Sequence, residues 1–346
     1  MKAICKHIVL MTPGFPRDEK DDRCIPSLQL FVKKLSEESG IKVTIVSVHY
    51  PSKSNMYRWH SCDVFSLGIN NRKRLSSYSR QWRTLRKIHK ENKIDCIHSF
   101  WLGECAFVGR HFAKKNNLKH LCTLMGQDAR KGNIFARLLP LKKMTLISLS
   151  NYHQTIFQNN YGISTMVIPW GVSSDVLRSA KEKTIDVIGI GSLIPLKRYS
   201  EFIETIALLK VKLPAINVVL IGDGVQKELL LKKIEKHGLT ETIQLEGALP
   251  YAMTQSLLSR SKVLLHSSEY ESFGMVFAEA QVHQVPIVSR EVGMAAASSS
   301  WIIGNSVEAF SEGCHRLLIS SSPNHTSFPN IESTVEQYCQ VYFKSE

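Results

Sequence analysis

Short apolar runs alternate along the chain with amphipathic stretches of helical period. In the first half, His7 to Met11, Val43 to Val48, Asp95 to Phe100, Leu121 to Met125 and Leu146 to Leu149 read as strands, and Leu28 to Leu35 and Glu104 to Lys115 as helices. Met166 to Val172 carries Pro and Gly ahead of a polar run, Ser173 to Lys183, and reads as a linker. The alternation then resumes. Strands are expected at Asp186 to Ile190, Asn217 to Ile221, Ile243 to Leu245, Val263 to Leu265 and Pro286 to Val288. Helices are expected at Tyr199 to Lys212, Gln226 to His237, Met253 to Ser259 and from near Ser272 to Met275 onward. Such alternation predicts α/β architecture, with parallel sheets covered on both faces. Two doubly wound domains, 1–172 and 173–327, are expected to face a central cleft at the carboxyl ends of their strands, where ligands bind. Ser320 to Pro329 reads as a polar loop. Ile331 to Phe343 reads as a final helix, within a segment 328–346 expected to pack back on the first domain.

A length of 346 residues suits two domains, and 43% hydrophobic with 21% charged residues is a globular composition. No apolar run approaches the roughly 18 residues of a membrane span. His7 to Met11 is too short for a signal-peptide core and is followed by Pro13-Gly14, so it is read as the first strand and the chain as cytoplasmic. Eight cysteines without a C-x-x-C pair are read as reduced and mostly buried, with no zinc site. Charge is unevenly placed: up to Val172 there are 28 Lys and Arg against 11 Asp and Glu, whereas the remainder has 16 against 19.

The stretch 266 to 288 concentrates candidate chemistry. A helix start near Phe273, Gly274 and Met275 offers unpaired backbone N–H groups to a phosphate, and Gly274 permits close approach. Glu271 and Glu279 bracket that start, the second roughly 7 Å further along the helix. Ionised carboxylates only accept hydrogen bonds, which suits sugar hydroxyls, so the pattern points to a nucleotide sugar. Upstream, Gly189-Ile-Gly191 ends a strand, and Lys197 and Arg198 near the next helix can neutralise a diphosphate. It lacks the third glycine of a dinucleotide fingerprint.

With these residues in line, the second half resembles the retaining GT-B glycosyltransferases with a Glu-x7-Glu signature, glycosyl transferases group 1. The resemblance implies two Rossmann-like domains, the first for the acceptor and the second for the donor. It implies Glu271 at the donor sugar as the catalytic candidate and Phe273, Gly274 and Met275 meeting sugar or phosphate oxygens. Glu279 would hold the ribose and Lys197 the diphosphate, with UDP- or GDP-sugar as substrate and neither metal nor cofactor required. Ser192 stands where the family has Arg, with Arg198 as its substitute. Gln284 stands where it has Gly, and Gly293-Met294 where it has Gly-Gly. In the first half, Asp95 to Trp101 and Thr123 to Asp128 resemble the family's acceptor-side loops. They offer His98 and Asp128 as acceptor or cleft residues, with Met125 in place of a histidine. Gly14 is the candidate for close approach to the phosphates. The acceptor is expected to be a glycan or a lipid-linked molecule. Arg72 to Lys93 holds nine basic residues and one acid, with Leu75, Tyr78, Trp82, Leu85 and Ile88 on one helical face. That face can pack on the sheet while the basic face is solvated or docks on an anionic membrane. No nucleic-acid motif accompanies it. The departures at Ser192 and Met125 keep a second reading open, a nucleotide-sugar-binding subunit without catalysis. A third, an epimerase or phosphorylase on the same fold, is also open.

Overall fold

The computed structural model describes residues 6–38, 40–69, 74–173, 182–320 and 328–343, the side chains of 74 and 75 excepted. The chain divides into two units, Met1–Gly171 with Asn330–Glu346, and Val172–Pro329.

The first unit runs β1 (Lys6–Gly14), α1 (Pro26–Glu37), β2 (Ile41–Tyr50), β3 (Asn55–Trp59), β4 (Cys62–Ser66), α2 (Arg74–Glu91), β5 (Cys96–Phe100), α3 (Glu104–Asn116), β6 (Lys119–Thr123), α4 (Ile134–Leu138), β7 (Thr145–Ser148), α5 (Asn151–Tyr161) and β8 (Met166–Val167). Its sheet has the order β3-β4-β2-β1-β5-β6-β7-β8, parallel except for the β3–β4 hairpin. Alternation places Val9, Met11 and Ile97 on one face, against Leu85 and Ile88 of α2 and Val108 and Phe112 of α3. The side chains of Tyr78 and Trp82 pack there too, so the apolar face of the basic helix is spent on the core.

The second unit runs β9 (Ile185–Ile190), α6 (Tyr199–Lys212), β10 (Val218–Ile221), α7 (Lys227–Lys236), β11 (Ile243–Gly247), α8 (Tyr251–Ser259), β12 (Ser261–His266), α9 (Met275–Val282), β13 (Ile287–Ser289), β14 (Trp301–Ile303) and α10 (Val307–Ile319). Its six strands are all parallel, in the order β11-β10-β9-β12-β13-β14. Phe202, Ile206, Leu230, Ile234, Phe310 and Leu317 from α6, α7 and α10 fill one face of the sheet. Ser306 caps α10 by accepting from the Ala309 amide, as a serine in that position should.

The chain then returns to the first unit as α11 (Ile331–Phe343), against α1. Tyr338 lies 4.9 Å from Phe31, ring to ring, and Trp170 stacks on the same phenylalanine at 5.8 Å. Met166 to Val172, expected to be a linker, instead supplies edge strand β8 and the buried side chains Ile168 and Trp170. Apolar residues between the punctuating Pro and Gly make it part of the core. Residues 174–181 and 321–327, which hold most of the expected polar run and loop, lie outside the described residues. Among the described residues every cysteine is a free thiol, and no helix is long and apolar enough to cross a membrane.

Candidate functional site

Strand β9 has β10 on one side and β12 on the other, so the chain reverses direction of winding there. Ligand crevices in such sheets open outside the carboxyl ends at this switch point. Two loops leave from it, one after Ile190 and one after His266. In the first, Gly191 has φ 153°. A side chain there would collide with the Tyr199 hydroxyl at 2.8 Å and approach Lys197 Cε at 3.6 Å. Lys197 reaches across to the second loop, where its Nζ donates to Glu271 Oε1 at 2.5 Å. The His266 ring, buried at the end of β12, bonds the same oxygen through Nε2 at 2.8 Å. Burial alone would raise the Glu271 carboxyl, but the Lys197 ammonium and the His266 ring hold it at about 2. Burial also lowers His266, and the bond to Glu271 only partly offsets this. A neutral His266 donates from Nε2, which leaves Nδ1 as a buried acceptor with no partner among the described residues.

The loop after Glu271 is shaped by glycines. Gly274 (φ 83°) precedes α9 in a left-handed conformation with no side-chain cap, and Phe273 is buried while Met275 begins the helix. Gly293 (φ 63°) folds over it: a Cβ there would lie 2.3 Å from the Phe273 carbonyl and 3.1 Å from Glu271 Cβ. The Met294 amide donates to that carbonyl. Gly191, Lys197, Glu271 and Gly293 therefore converge, as expected from the sequence for the middle two.

Other candidates are placed differently. Arg198 takes a left-handed φ of 53°, and its guanidinium bonds Glu269 at 2.6 and 2.7 Å, so it is already engaged by a carboxylate. Ser192 is exposed on the first loop. Glu279 is part-buried on α9. Burial raises its carboxyl, opposed by Gln255 and Tyr251 from α8. His283 at the end of α9 bonds Gln255 at 2.9 Å, so this histidine belongs to the framework behind Glu279. Gln284 holds the left-handed φ of 53° that a glycine would take without strain.

Sequence reasoning missed His266, Tyr199 and Arg290. Arg290 bonds Glu201 at 2.5 Å and the Ser267 carbonyl, and lies 5.0 Å over the Phe310 ring, tying α6 to the second loop. The sequence signal for His266 was only its position, directly after the apolar run of β12.

The family model of glycosyl transferases group 1 matches residues 177–324. The match spans nearly the whole second unit. An uncharacterized glycosyltransferase of Methanocaldococcus jannaschii is 28% identical over 218 residues, 60% of this chain and 59% of that one, so the match leaves much of the relative's length uncovered. Sucrose-phosphate synthase from Thermosynechococcus elongatus superposes with TM-score 0.78 at 15% identity, covering 97% of this chain and 98% of that one. Anabaena HepE in complex with UDP-glucose gives 0.69 at 15% identity, covering 97% and 95%. The fold is GT-B.

The first unit of this GT-B chain corrects two acceptor-side expectations. His98 is wholly buried, and its Nδ1 meets the Tyr342 hydroxyl at 2.5 Å while Nε2 meets Thr123 Oγ1 at 2.8 Å. With both ring nitrogens satisfied and burial holding its pKa well below the usual range, it packs α11 onto the sheet and does not reach a ligand. Asp128 accepts from the amides of Leu102 (2.8 Å), Met125 (3.1 Å) and Gly126 (2.7 Å). It holds its loop closed. Gly14 is buried at the end of β1, where a Cβ would make ordinary contact with Tyr50 Cβ at 3.4 Å and Cys24 Sγ at 3.7 Å. A cavity of about 370 Å³ lies just beyond, at the carboxyl ends of β1, β2 and β4, with Arg17, Lys53, Tyr50, Tyr57 and Ser66 among its walls.

Proposed function

We propose that the protein transfers a sugar from a nucleoside diphosphate sugar to a hydroxyl acceptor, with retention at the anomeric carbon. The observation that carries this reading is the Lys197–Glu271–His266 cluster between two glycine-shaped loops at the switch point. Lys197 has three N–H donors and gives one to Glu271, leaving two for phosphate oxygens. The Glu271 bonds both end on Oε1, leaving Oε2 to a sugar hydroxyl. Negative charge growing on the departing diphosphate would be stabilised by Lys197 and the uncapped start of α9. Glu279, fixed against α8, would accept from the ribose hydroxyls. HepE's complex with UDP-glucose supports UDP as the carrier.

On the acceptor side, the cavity beside Arg17 and Lys53 replaces His98 and Asp128 as the place for a hydroxyl-bearing glycan or the head of a lipid-linked acceptor. The protein would act as a cytoplasmic enzyme at the membrane surface, in polysaccharide or glycolipid assembly.

A second reading, a donor-binding subunit without turnover, is favoured by one observation. Ser192 is uncharged and Arg198 is bound to Glu269, so Lys197 is the cation of the first loop left for the diphosphate. The two separate in one experiment. Thermal shift with UDP, GDP and ADP identifies the base. Donor hydrolysis and transfer are then followed for wild type and Glu271→Ala, with the product anomer read by NMR. Turnover lost in Glu271→Ala supports the transferase. Tight binding without turnover supports the subunit, and absence of binding to every nucleoside diphosphate overturns both.

A further inference from the structure

Between β6 and β7 the sequence Arg130-Lys-Gly-Asn-Ile-Phe-Ala-Arg137-Leu-Leu-Pro-Leu-Lys142-Lys143 carries five basic residues and no acid. The short helix α4 within it exposes Ile134 (57%) and Leu138 (56%), one turn apart and on one side. Two other exposed aliphatic pairs, Leu208 with Val211 and Val225 with Leu229, lie in acid-bearing segments of the second unit, whereas this pair sits among cations alone, and its loop is firmly built. Asn133 caps the helix through the Phe135 amide, and its Nδ2 donates to the carbonyls of Leu102 and Asp128. The Tyr161 hydroxyl receives the Asn133 amide and donates to the Arg130 carbonyl, and Asn160 donates to the Ala129 carbonyl. Phe135 and Leu139 pack inward while Ile134 and Leu138 do not.

The loop adjoins the two basic helices. Phe107 of α3 contacts Tyr78 of α2 at 5.5 Å and Phe135 of α4 at 6.3 Å, so α3 links α2 to α4. Its exposed cations include Arg83, Arg86 and Lys90 of α2, Lys114 of α3, and Arg137 and Lys142 of the loop. Of the acids in these segments, Glu104 turns inward to Ser77 at 2.8 Å and Asp128 binds backbone amides. Glu91, 4.0 Å from Lys87, is the remaining one among the described residues.

We infer that this face docks on an anionic lipid leaflet, with Ile134 and Leu138 entering the headgroup layer. Exposed cations flanking a small aliphatic pair along the loop, Lys131, Arg137 and Lys142, match a leaflet that offers negative charge outside and hydrocarbon beneath. The apolar stripe of α2 is already spent on the core, which leaves α4 to supply the inserting residues. The inference makes the membrane reading above specific to a surface, and it requires only the folded chain, not sugar transfer.

The full chain is sedimented with vesicles of phosphatidylcholine alone and of phosphatidylcholine with phosphatidylglycerol, at low and high salt. Binding to the anionic vesicles that weakens with salt is expected. Lys131→Glu with Arg137→Glu should cut partitioning by at least about fivefold per residue. Ile134→Ser with Leu138→Ser should weaken it while keeping the salt dependence. Both pairs are exposed, and unchanged nucleotide-induced thermal shift shows that the variants fold. Equal binding to neutral vesicles, no binding to any vesicle, or no effect of either pair of substitutions overturns the inference. So does a preference for duplex DNA over anionic vesicles.

Discussion

Glu271 accepts from a lysine and a histidine on a single oxygen, and this fixes what each neighbour does. Its folded pKa is depressed from 4.5 to about 2. The stability it contributes is therefore present above about pH 4.5 and lost as pH falls through 2. Lys197→Met should remove the cation from both partners at once. Diphosphate affinity is expected to fall about tenfold to a hundredfold, the worth of a charge-assisted bond, and the Glu271 carboxyl to rise. Isothermal titration with UDP checks the first, and unchanged affinity would sink the placement of Lys197. The companion Glu279→Ala should weaken binding of UDP itself, because its proposed contact is to ribose and not to the sugar; a loss confined to UDP-sugar would move it elsewhere. At this scale the meeting of Glu271 with Lys197 was legible, since each lies in a strand-to-helix loop that carries a turn glycine, Gly274 and Gly191. Arg198 was not. Adjacent cations look equivalent in sequence, but the left-handed residue at Arg198 sends its side chain to Glu269 and away from Lys197's partner. His266 was hidden because a histidine ending an apolar strand carries no signal of which side chain it will meet.

The elements follow the same division between local and remote causes. The helix at Tyr199–Lys212 and the last helix at Ile331–Phe343 have the bounds read from their periodicity, because amphipathic spacing is a local property. The β3–β4 hairpin, α5, β14 and α10 were not read. The outer strand β3 is half exposed, with the burial pattern of an edge, and α10 follows a run of Ala and Ser without periodicity. What α11 packs against was equally out of reach, since Tyr342 and His98 are 244 positions apart. Removing the Tyr342 hydroxyl leaves a wholly buried ring nitrogen without a partner. Tyr342→Phe should cost about 1–3 kcal/mol of first-unit stability, read as a lower urea midpoint. The UDP-induced thermal shift of the second unit should persist. A midpoint equal to wild type would mean that His98 does not depend on this helix.

Across the whole molecule, buried imidazoles set how acid should act. His7, His98, His120 and His153 in the first unit and His266 and His283 in the second all have lowered pKa values caused first by burial, with His120 at about 3 and His283 at about 4. Each holds off protonation to a lower pH in the folded chain, whereas the unfolded chain takes up protons below about pH 6.5. Their stability is fully present above that pH and is lost as pH falls toward each folded value, by at most about 1.4 kcal/mol per pH unit for each group. His49 runs the other way. Its bond to Glu104 raises it, so its contribution is present below pH 6.5 and fades as pH rises through its folded value. One raised group against four lowered ones leaves the first unit acid-labile, and protonating a chain of net charge +14 adds self-repulsion in the same direction. The urea midpoint should therefore fall steadily from pH 7 to pH 5, before the depressed Glu271 begins to titrate. His120 identifies the cause: its Nε2 contacts Ser99 Oγ at 3.0 Å while Nδ1 has no partner among the described residues. His120→Asn retains a polar group toward Ser99 but removes one titrating site, so its midpoint should vary less with pH than that of wild type. Parallel profiles for the two proteins, or a flat wild-type profile between pH 7 and 5, would show that buried histidines do not govern the acid response.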